Sequence, residues 1–283
     1  MGGPRIAFRI GPLAIAWYGI ILVAAAIVAA YIAEREAKRR GDDPEHVWNA
    51  FLLCLLFGVI GARLYHVISS LDYYIQNPMQ ILNTRAGGLG IIGAVVGGAI
   101  GLWIYTRRAK LDFWRWADIA VPGLLLAQAI GRWGNYVNHE LYGYPTTLPW
   151  GIYIPPAYRL PGFENYERFH PTFLYESLWN LAGFLLALYI ARRFARWLRD
   201  GDLFFFYGIY YSIGRFITEF QRPDAWTIGP LATAQWISLV VAVVCGVILY
   251  LRHRRPWSAP AVTDTSAQDR VVSESQTTEQ DQA

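Results

Sequence analysis

Seven long apolar stretches run along the chain, at residues 13–33, 47–71, 87–105, 116–133, 172–191, 203–220 and 228–251, separated by short segments rich in charge, glycine or proline. A hydrocarbon core takes roughly 20 apolar residues in a helix, so each stretch is long enough to cross a bilayer once tilt and a few polar positions are allowed. The second, fourth and sixth stretches carry charges. The pattern predicts an all-α polytopic membrane protein with seven transmembrane helices. The first stretch is too long for a signal-peptide core and lacks a convincing cleavage site, so it reads as a retained first helix.

Positive charge sets the orientation, because cytoplasmic loops keep lysine and arginine. Residues 34–40, 107–115, 192–199 and 252–255 hold 15 of the 25, whereas the segments on the opposite side hold 6. The amino terminus is therefore expected outside and the carboxyl terminus in the cytoplasm. Residues 144–170, between the fourth and fifth helices, interleave prolines with aromatic side chains from Trp150 to Phe169. They read as an ordered outer-face loop at headgroup level, where aromatic rings settle. Beyond residue 255 the chain turns to Ser, Thr, Gln, Asp and Glu. Residues 1–255 are thus expected to form the membrane domain and 256–283 a disordered acidic cytoplasmic tail.

Composition narrows the function classes. With 283 residues, 54% hydrophobic, 16% aromatic and only 16% charged, the chain is too apolar for an ordinary soluble domain. Its net charge of +4 comes from arginines flanking apolar segments, so no nucleic-acid partner is expected. Cys54 and Cys245 sit in apolar runs without activating neighbours and read as small packed hydrophobes. No zinc spacing, phosphate-binding glycine loop or dinucleotide fingerprint occurs, so neither a metal nor a cofactor is expected. No internal repeat suggests a transporter's inverted halves.

Polar residues inside the apolar stretches carry the chemistry. A charge at the bilayer centre costs about 2.5–3.5 kcal/mol on the insertion scale, so each needs a partner or a purpose. Four stretches hold such residues: Arg63 and His66, Asp118 and Arg132, Glu176, and Arg215 with Glu219. At about 1.5 Å per residue, Arg132 lies roughly 24 Å, Arg215 roughly 18 Å and Glu219 roughly 24 Å from the inner face. Arg63 comes late in the outward-running second helix. Three arginines from three helices are thus expected in the outer half. With few carboxylates near them, the excess guanidinium suits a phospholipid phosphate, which arginine grips in bidentate fashion. Arg215 and Glu219 are also spaced to pair on one helix face, with Arg222 a turn further on; taken alone, that pair reads equally well as a structural lock.

The densest polar run is "GRWGNYVNHELYG" at 131–143. Asn135 and Asn138 either close the helix end, with Gly134 and Gly143 allowing sharp turns, or donate to headgroup and ester oxygens. His139 is the histidine considered as a proton acceptor; His66 reads as a core residue, His46 and His253 lie at cytoplasmic ends, and His170 precedes Pro171 at a helix entry. In "GGLGIIGAVVGGAIG", 87–101, Gly93, Gly97 and Gly101 share one face and predict close helix packing. Gly87 and Gly88 fall at the outer end, where backbone amides could approach a ligand.

The 131–143 run resembles the signature G-R-x-G-N-[FY]-x-N-x-E-x-x-G of the prolipoprotein diacylglyceryl transferases, bacterial inner-membrane enzymes. "AWYGI" at 16–20, "GARLYHV" at 61–67, "GGLGIIG" at 87–93, "ADIAVP" at 117–122, "HPTFLYES" at 170–177 and "GRFITEFQRPDAW" at 214–226 resemble the family's other blocks in the same order. The likeness covers about residues 5–255. It implies seven transmembrane helices with the amino terminus outside, an active site towards the outer leaflet, and no cofactor. It also implies transfer of the diacylglyceryl group of phosphatidylglycerol to the lipobox cysteine thiol of a prolipoprotein signal peptide, with release of glycerol phosphate. The essential arginines of such enzymes correspond to Arg132 and Arg215. Supporting roles fall to Tyr18, Asn135, Glu140, Gly143 and Glu219, and further matches are Arg63, Asp118, Glu176 and Arg222.

One departure bears on the chemistry. Many members carry a histidine in the block G-G-x-x-x-H-G, for which a general-base role has been proposed, and this chain has Ile92 there. Either that histidine is not the base in general, or His139 or Glu140 replaces it here, or the arginine field lowers the substrate thiol's pKa far enough to dispense with a base; the last is favoured. The competing reading is a non-catalytic lipid-binding or transport protein whose arginines hold phosphatidylglycerol without reacting.

Overall fold

The computed structural model describes residues 6–11, 13–83 and 88–254. Among these, seven helices of 18 or more residues follow the seven apolar stretches: α1 (Trp17–Arg39), α2 (Glu45–Ser69), α4 (Ile91–Arg108), α5 (Phe113–Asn138), α6 (Thr172–Arg193), α7 (Asp202–Glu219) and α8 (Thr233–Arg254). The short α3 (Leu71–Gln76) follows α2. Four of them, α1, α2, α6 and α8, are long and apolar enough to cross a membrane by length and composition. The other three long helices carry Arg107 and Arg108 (α4), Asp118 and Arg132 (α5), and Arg215 and Glu219 (α7).

Three predicted helix starts are displaced. The first helix begins at Trp17 and not at residue 13, because Leu13–Ala16 forms strand β2, paired antiparallel with β1 (Ile6–Ile10). The helix expected from residue 87 begins at Ile91: Gly88 has φ +78°, and the Gly90 N–H donates to the Ala62 carbonyl of α2 at 2.9 Å. The last helix begins at Thr233, since β5 (Thr227–Ile228) and β6 (Leu231–Ala232) form a hairpin turned by Gly229 at φ +65°. In each case an apolar run continues through non-helical backbone, and hydropathy alone cannot separate the two conformations. A third pair, β3 (Ile152–Tyr153) with β4 (Arg168–Phe169), orders the loop before α6 around Tyr142, Ile154 and Phe169.

The surface and the core exchange their usual composition. Large apolar side chains such as Val23, Ile27, Leu52, Leu56, Val240 and Val243 point outward, while small residues such as Ala30, Ala33, Ala37, Ala187 and Ala191 are buried between helices. That is the pattern of a helical protein in lipid, where close backbone approach rather than water exclusion holds helices together. The expected glycine face meets α2: a Cβ on Gly97 would lie 2.1 Å from the Phe57 carbonyl oxygen, and one on Gly93 2.1 Å from that of Gly61. Cys245 of α8 packs against Gly208 of α7.

Helix α5 is the hub, touching α1, α4, α6 and α7. Near its start the buried Asp118 accepts from the backbone N–H groups of Gly201 and Phe204, both at 2.8 Å, with Arg40 at 3.9 Å. It therefore caps α7. Asp118→Ala leaves those amides without their charged acceptor and is expected to cost about 3 kcal/mol, with Asp118→Asn costing less, because a hydrogen bond to a charged group contributes about 1.5–3 kcal/mol. Thermal unfolding in detergent checks this; an unchanged midpoint for the alanine variant would refute the cap. By its contacts the chain divides into Met1–Ile248 and Leu249–Ala283. The tail expected at 256–283 lies outside the described residues.

Candidate active site

Where α5, α6 and α7 meet, six side chains form a line of alternating charge. Arg132 Nε of α5 lies 2.5 Å from Glu176 Oε2 of α6, and Glu176 Oε1 lies 3.6 Å from Arg215 Nη1 of α7. Arg215 Nη2 in turn is 2.7 Å from Glu219 Oε2, which is 3.8 Å from Arg222 Nη1, and Arg222 reaches Asp224 at 3.3 Å. Glu176 and Glu219 are buried, at 8% and 6% exposure. The Arg215 to Glu219 pair is the one its helical spacing predicts. Glu176 is the link that joins two helices' arginines, since one carboxylate sits between two guanidiniums.

Two expectations change. The arginines were expected in excess, yet three of them face three carboxylates; the missing negative charge comes from Glu176 on a separate helix and from Asp224 beyond the end of α7. Arg63, expected as the third converging arginine, is turned away from this line. Its guanidinium donates to the carbonyl oxygens of Gln80, Ile81, Asn83 and Gly88 at 2.5–3.1 Å and lies over the Tyr74 ring. Arg222 takes its place in the charged line.

Gly88 is constrained by the same contact, because a Cβ there would meet Arg63 Nη1 at 2.7 Å and the His66 ring at 2.5 Å. Gly87 lies outside the described residues. Asp118 is not brought to the site: it precedes Arg132 by 14 residues on α5, about 21 Å along a helix, at the cap of α7.

The end of α5 adds a second polar group beside the line. Asn135 Nδ2 and Asn138 Nδ2 donate to Glu140 Oε1 at 2.9 and 3.4 Å, and the Glu140 N–H donates to the Asn135 carbonyl at 3.1 Å. The two amides thus hold Glu140 over the helix end. The Tyr18 ring packs on Gly134, where a Cβ would lie 2.5 Å from it. The sharp turn is made by His139 and Leu141, at φ +53° and +55°, rather than by the glycines expected to supply it. Gly134 is inside the helix, and Gly143 is pinned by its N–H to the His170 carbonyl at 2.9 Å, with a Cβ there reaching within 2.8 Å of the Gln221 oxygen. Both glycines answer to crowding, which local sequence cannot reveal.

His139 caps α5 in the left-handed region, is 8% exposed, and its ring lies 5.0 Å from that of Tyr158. The loop that covers it is fastened to the neighbouring helix: the Thr172 hydroxyl donates to the Leu141 carbonyl, and the Trp150 indole N–H donates to the Tyr175 hydroxyl at 3.0 Å. Tyr142 donates to the Tyr158 carbonyl and accepts from the Leu160 N–H, and burial pushes its phenol above the ordinary value.

A cleft lies behind the charged line, bordered by Arg132, Glu176, Trp179, Asn180, Tyr211, Gly214, Arg215 and Thr218. Sequence reasoning found the charged members and missed Trp179, Asn180, Tyr211 and Thr218. Helical spacing held a signal for two of them: Asn180 follows Glu176 by four residues, and Tyr211 precedes Arg215 by four. Among the described residues no group of three or more His, Cys, Asp or Glu side chains could hold a metal ion.

The site gathers guanidiniums, a held carboxylate and a cleft, which together can bind an anionic group and stabilise charge that develops on it. Comparison with known proteins gives this geometry its context. Residues 5–252 match the family described as prolipoprotein diacylglyceryl transferase. A phosphatidylglycerol–prolipoprotein diacylglyceryl transferase of Chloroflexus aggregans is 43% identical over 284 residues, covering 93% of each chain. Proteins of the same name from Thermosynechococcus vestitus and Bacillus cereus are each 40% identical, covering 84% and 88% of this chain and 88% and 92% of theirs.

Proposed function

The chain belongs to the prolipoprotein diacylglyceryl transferase family, and on that premise we propose that it transfers the diacylglyceryl group of phosphatidylglycerol to the lipobox cysteine of prolipoproteins. The observation that carries the reading is the junction of Arg132 and Arg215 on one buried carboxylate, Glu176. In the reaction a new S–C bond forms at the glyceryl carbon while the bond from that carbon to the phosphate oxygen breaks. The electron pair leaves with glycerol phosphate, whose phosphate goes from one negative charge to two. Arg132 and Arg215 meet that added charge, and a dry site strengthens their effect. Glu176 and Glu219 hold the guanidiniums in place and compensate them when no lipid is bound.

The thiol must lose a proton. Ile92 is half exposed on α4 and carries no acceptor. Because the arginines are matched by carboxylates, their field alone is a weaker way of acidifying the thiol than the sequence suggested. Glu140 is the better acceptor: it is held by two amides, and the Tyr18 phenol lies near enough to feel the charges of both Glu140 and Arg132. Tyr18 contacts the headgroup or the thiol. His139 serves the turn, so His139→Ala is expected to lower transfer by no more than about tenfold, whereas general acid–base catalysis contributes about 10²–10⁴-fold. A fall of a hundredfold or more with His139→Ala would make that histidine the acceptor instead.

The same reading places the protein in a bacterial inner membrane, crossed seven times with the amino terminus outside and the site in the outer half. Its support is the side-to-side bias of lysine and arginine and the seven long helices. The 1–255 region would then act as one membrane domain followed by a cytoplasmic tail. The test is direct: purified protein in phosphatidylglycerol nanodiscs is mixed with a synthetic lipobox peptide, and the peptide mass is read. Gain of a diacylglyceryl group supports the transferase; no product from folded, lipid-supplied protein refutes it and leaves non-catalytic lipid binding as the reading.

A further inference from the structure

The cleft behind the arginines has a polar wall that the chemistry above does not use. Asn180 is 4% exposed, borders the cleft, and its Oδ1 has no hydrogen-bond partner among the described residues. A buried acceptor left without a donor is costly, so its place in the cleft points to a ligand that supplies one. A second acceptor, Gln128 Oε1, is likewise buried without a partner one turn from Arg132 on α5, its amide donating to the Tyr207 hydroxyl at 2.7 Å.

Helix register gives the distance to the phosphate site. Helices α6 and α7 run antiparallel, as Glu176 meets Arg215 while Trp179 Nε1 donates to the Tyr210 carbonyl at 3.2 Å. Asn180 of α6 and Tyr211 of α7 therefore lie together one turn, about 5.4 Å, behind the arginines. That is the span of the short carbon arm between a phosphate and the hydroxyl of its headgroup. A phosphate held by the arginines cannot satisfy Asn180 Oδ1, because a phosphodiester offers only acceptors. A hydroxyl can, and it also accepts from the carboxamide N–H in return. An ammonium headgroup donates too, but it would have to give up its water in a cleft whose one carboxylate, Glu176, is already paired with two guanidiniums.

We propose that Asn180 is a specificity-determining residue that reads a headgroup hydroxyl of phosphatidylglycerol, setting the lipid with its phosphate at Arg132 and Arg215 and its glycerol one turn behind them. The proposal rests on the transferase reading. It assigns to this side chain the choice between a hydroxylated headgroup and an alkyl one, since a site built to bond a hydroxyl rejects an analogue that leaves its polar group unpaired.

The test compares phosphatidylglycerol with phosphatidylpropanol, which keeps the phosphodiester and acyl chains and lacks the headgroup hydroxyls. The wild type is expected to favour phosphatidylglycerol by about 10–100-fold in kcat/KM, and Asn180→Leu to bring the ratio close to one. Should that variant not be recovered folded, competition on the wild type decides: glycerol 1-phosphate should inhibit at a concentration at least about tenfold lower than propyl phosphate. A wild type that does not distinguish the members of either pair overturns the proposal, as does Asn180→Leu lowering both lipids by the same factor. Absence of product with both lipids is a separate failure, which overturns the transferase reading and this proposal with it.

Discussion

Arg132→Ala is expected to lower diacylglyceryl transfer about 10³-fold in folded protein, and Arg215→Ala to do so to a similar degree. Loss of one donor to a developing oxyanion costs about 10²–10³ in kcat, and a transition-state arginine at a phosphoryl group is worth about 10³–10⁵. The phosphate gains charge only as the C–O bond breaks, so the loss should fall chiefly on kcat, with a smaller change in KM. Arg132→Lys keeps the positive charge but not the planar fork that meets Glu176 through Nε, and should fall between wild type and alanine. The double variant should lose less than the product of the single losses, because the two arginines share one carboxylate and act as a unit. Steady-state transfer to a lipobox peptide, read by mass spectrometry, measures all four. Retention of activity within tenfold in Arg132→Ala would reduce the charged line to a helix lock.

Glu176→Gln carries the second large effect, and it acts on stability as well as rate. Neutralising this residue leaves Arg132 and Arg215 facing each other without the carboxylate between them. Breaking a buried ion pair costs about 3–5 kcal/mol, and the low end applies here because the two guanidinium side chains are 22% and 19% exposed. The unfolding midpoint in detergent should therefore fall. Anionic phosphatidylglycerol should restore more of it in the variant than in the wild type, since the lipid phosphate then supplies the missing charge and stabilises the folded state by mass action. Transfer should drop by about 10–100-fold as the guanidiniums lose their orienting partner. A variant as stable as wild type, with no added response to lipid, would mean that Glu176 does not hold the arginines together.

The polar positions within apolar stretches were legible from the chain because each charge in hydrocarbon demands a reason. Arg132, Glu176, Arg215 and Glu219 stood out on that ground, and Arg215 with Glu219 also by spacing. Arg63 stood out equally and plays a different part. Its direction around α2 depends on the carbonyls of Gln80, Ile81, Asn83 and Gly88, which come from another segment. Asp118 misled in the same way, being a buried charge whose partners are the backbone amides of α7. Asn180 was passed over because an asparagine in a helix carries no charge to flag it; its four-residue spacing from Glu176 gains meaning only from burial beside a cleft walled by α5 and α7.

Hydrophobic periodicity and length determined by themselves the number and order of the long helices, for the need to satisfy every backbone group in lipid leaves helix as the dominant choice over each apolar run. The family was likewise written in local blocks. Tertiary structure alone decided how the charges pair between helices. Glu176 is 44 residues from Arg132 and 39 from Arg215, so its role exists only once α6 lies between α5 and α7. The same holds for the glycines at 134 and 143, which are required by a tyrosine ring from α1 and by backbone following α7. Backbone satisfaction is a local demand that each segment meets from its own residues, whereas charge compensation and close packing are met by whichever segments the fold brings into contact.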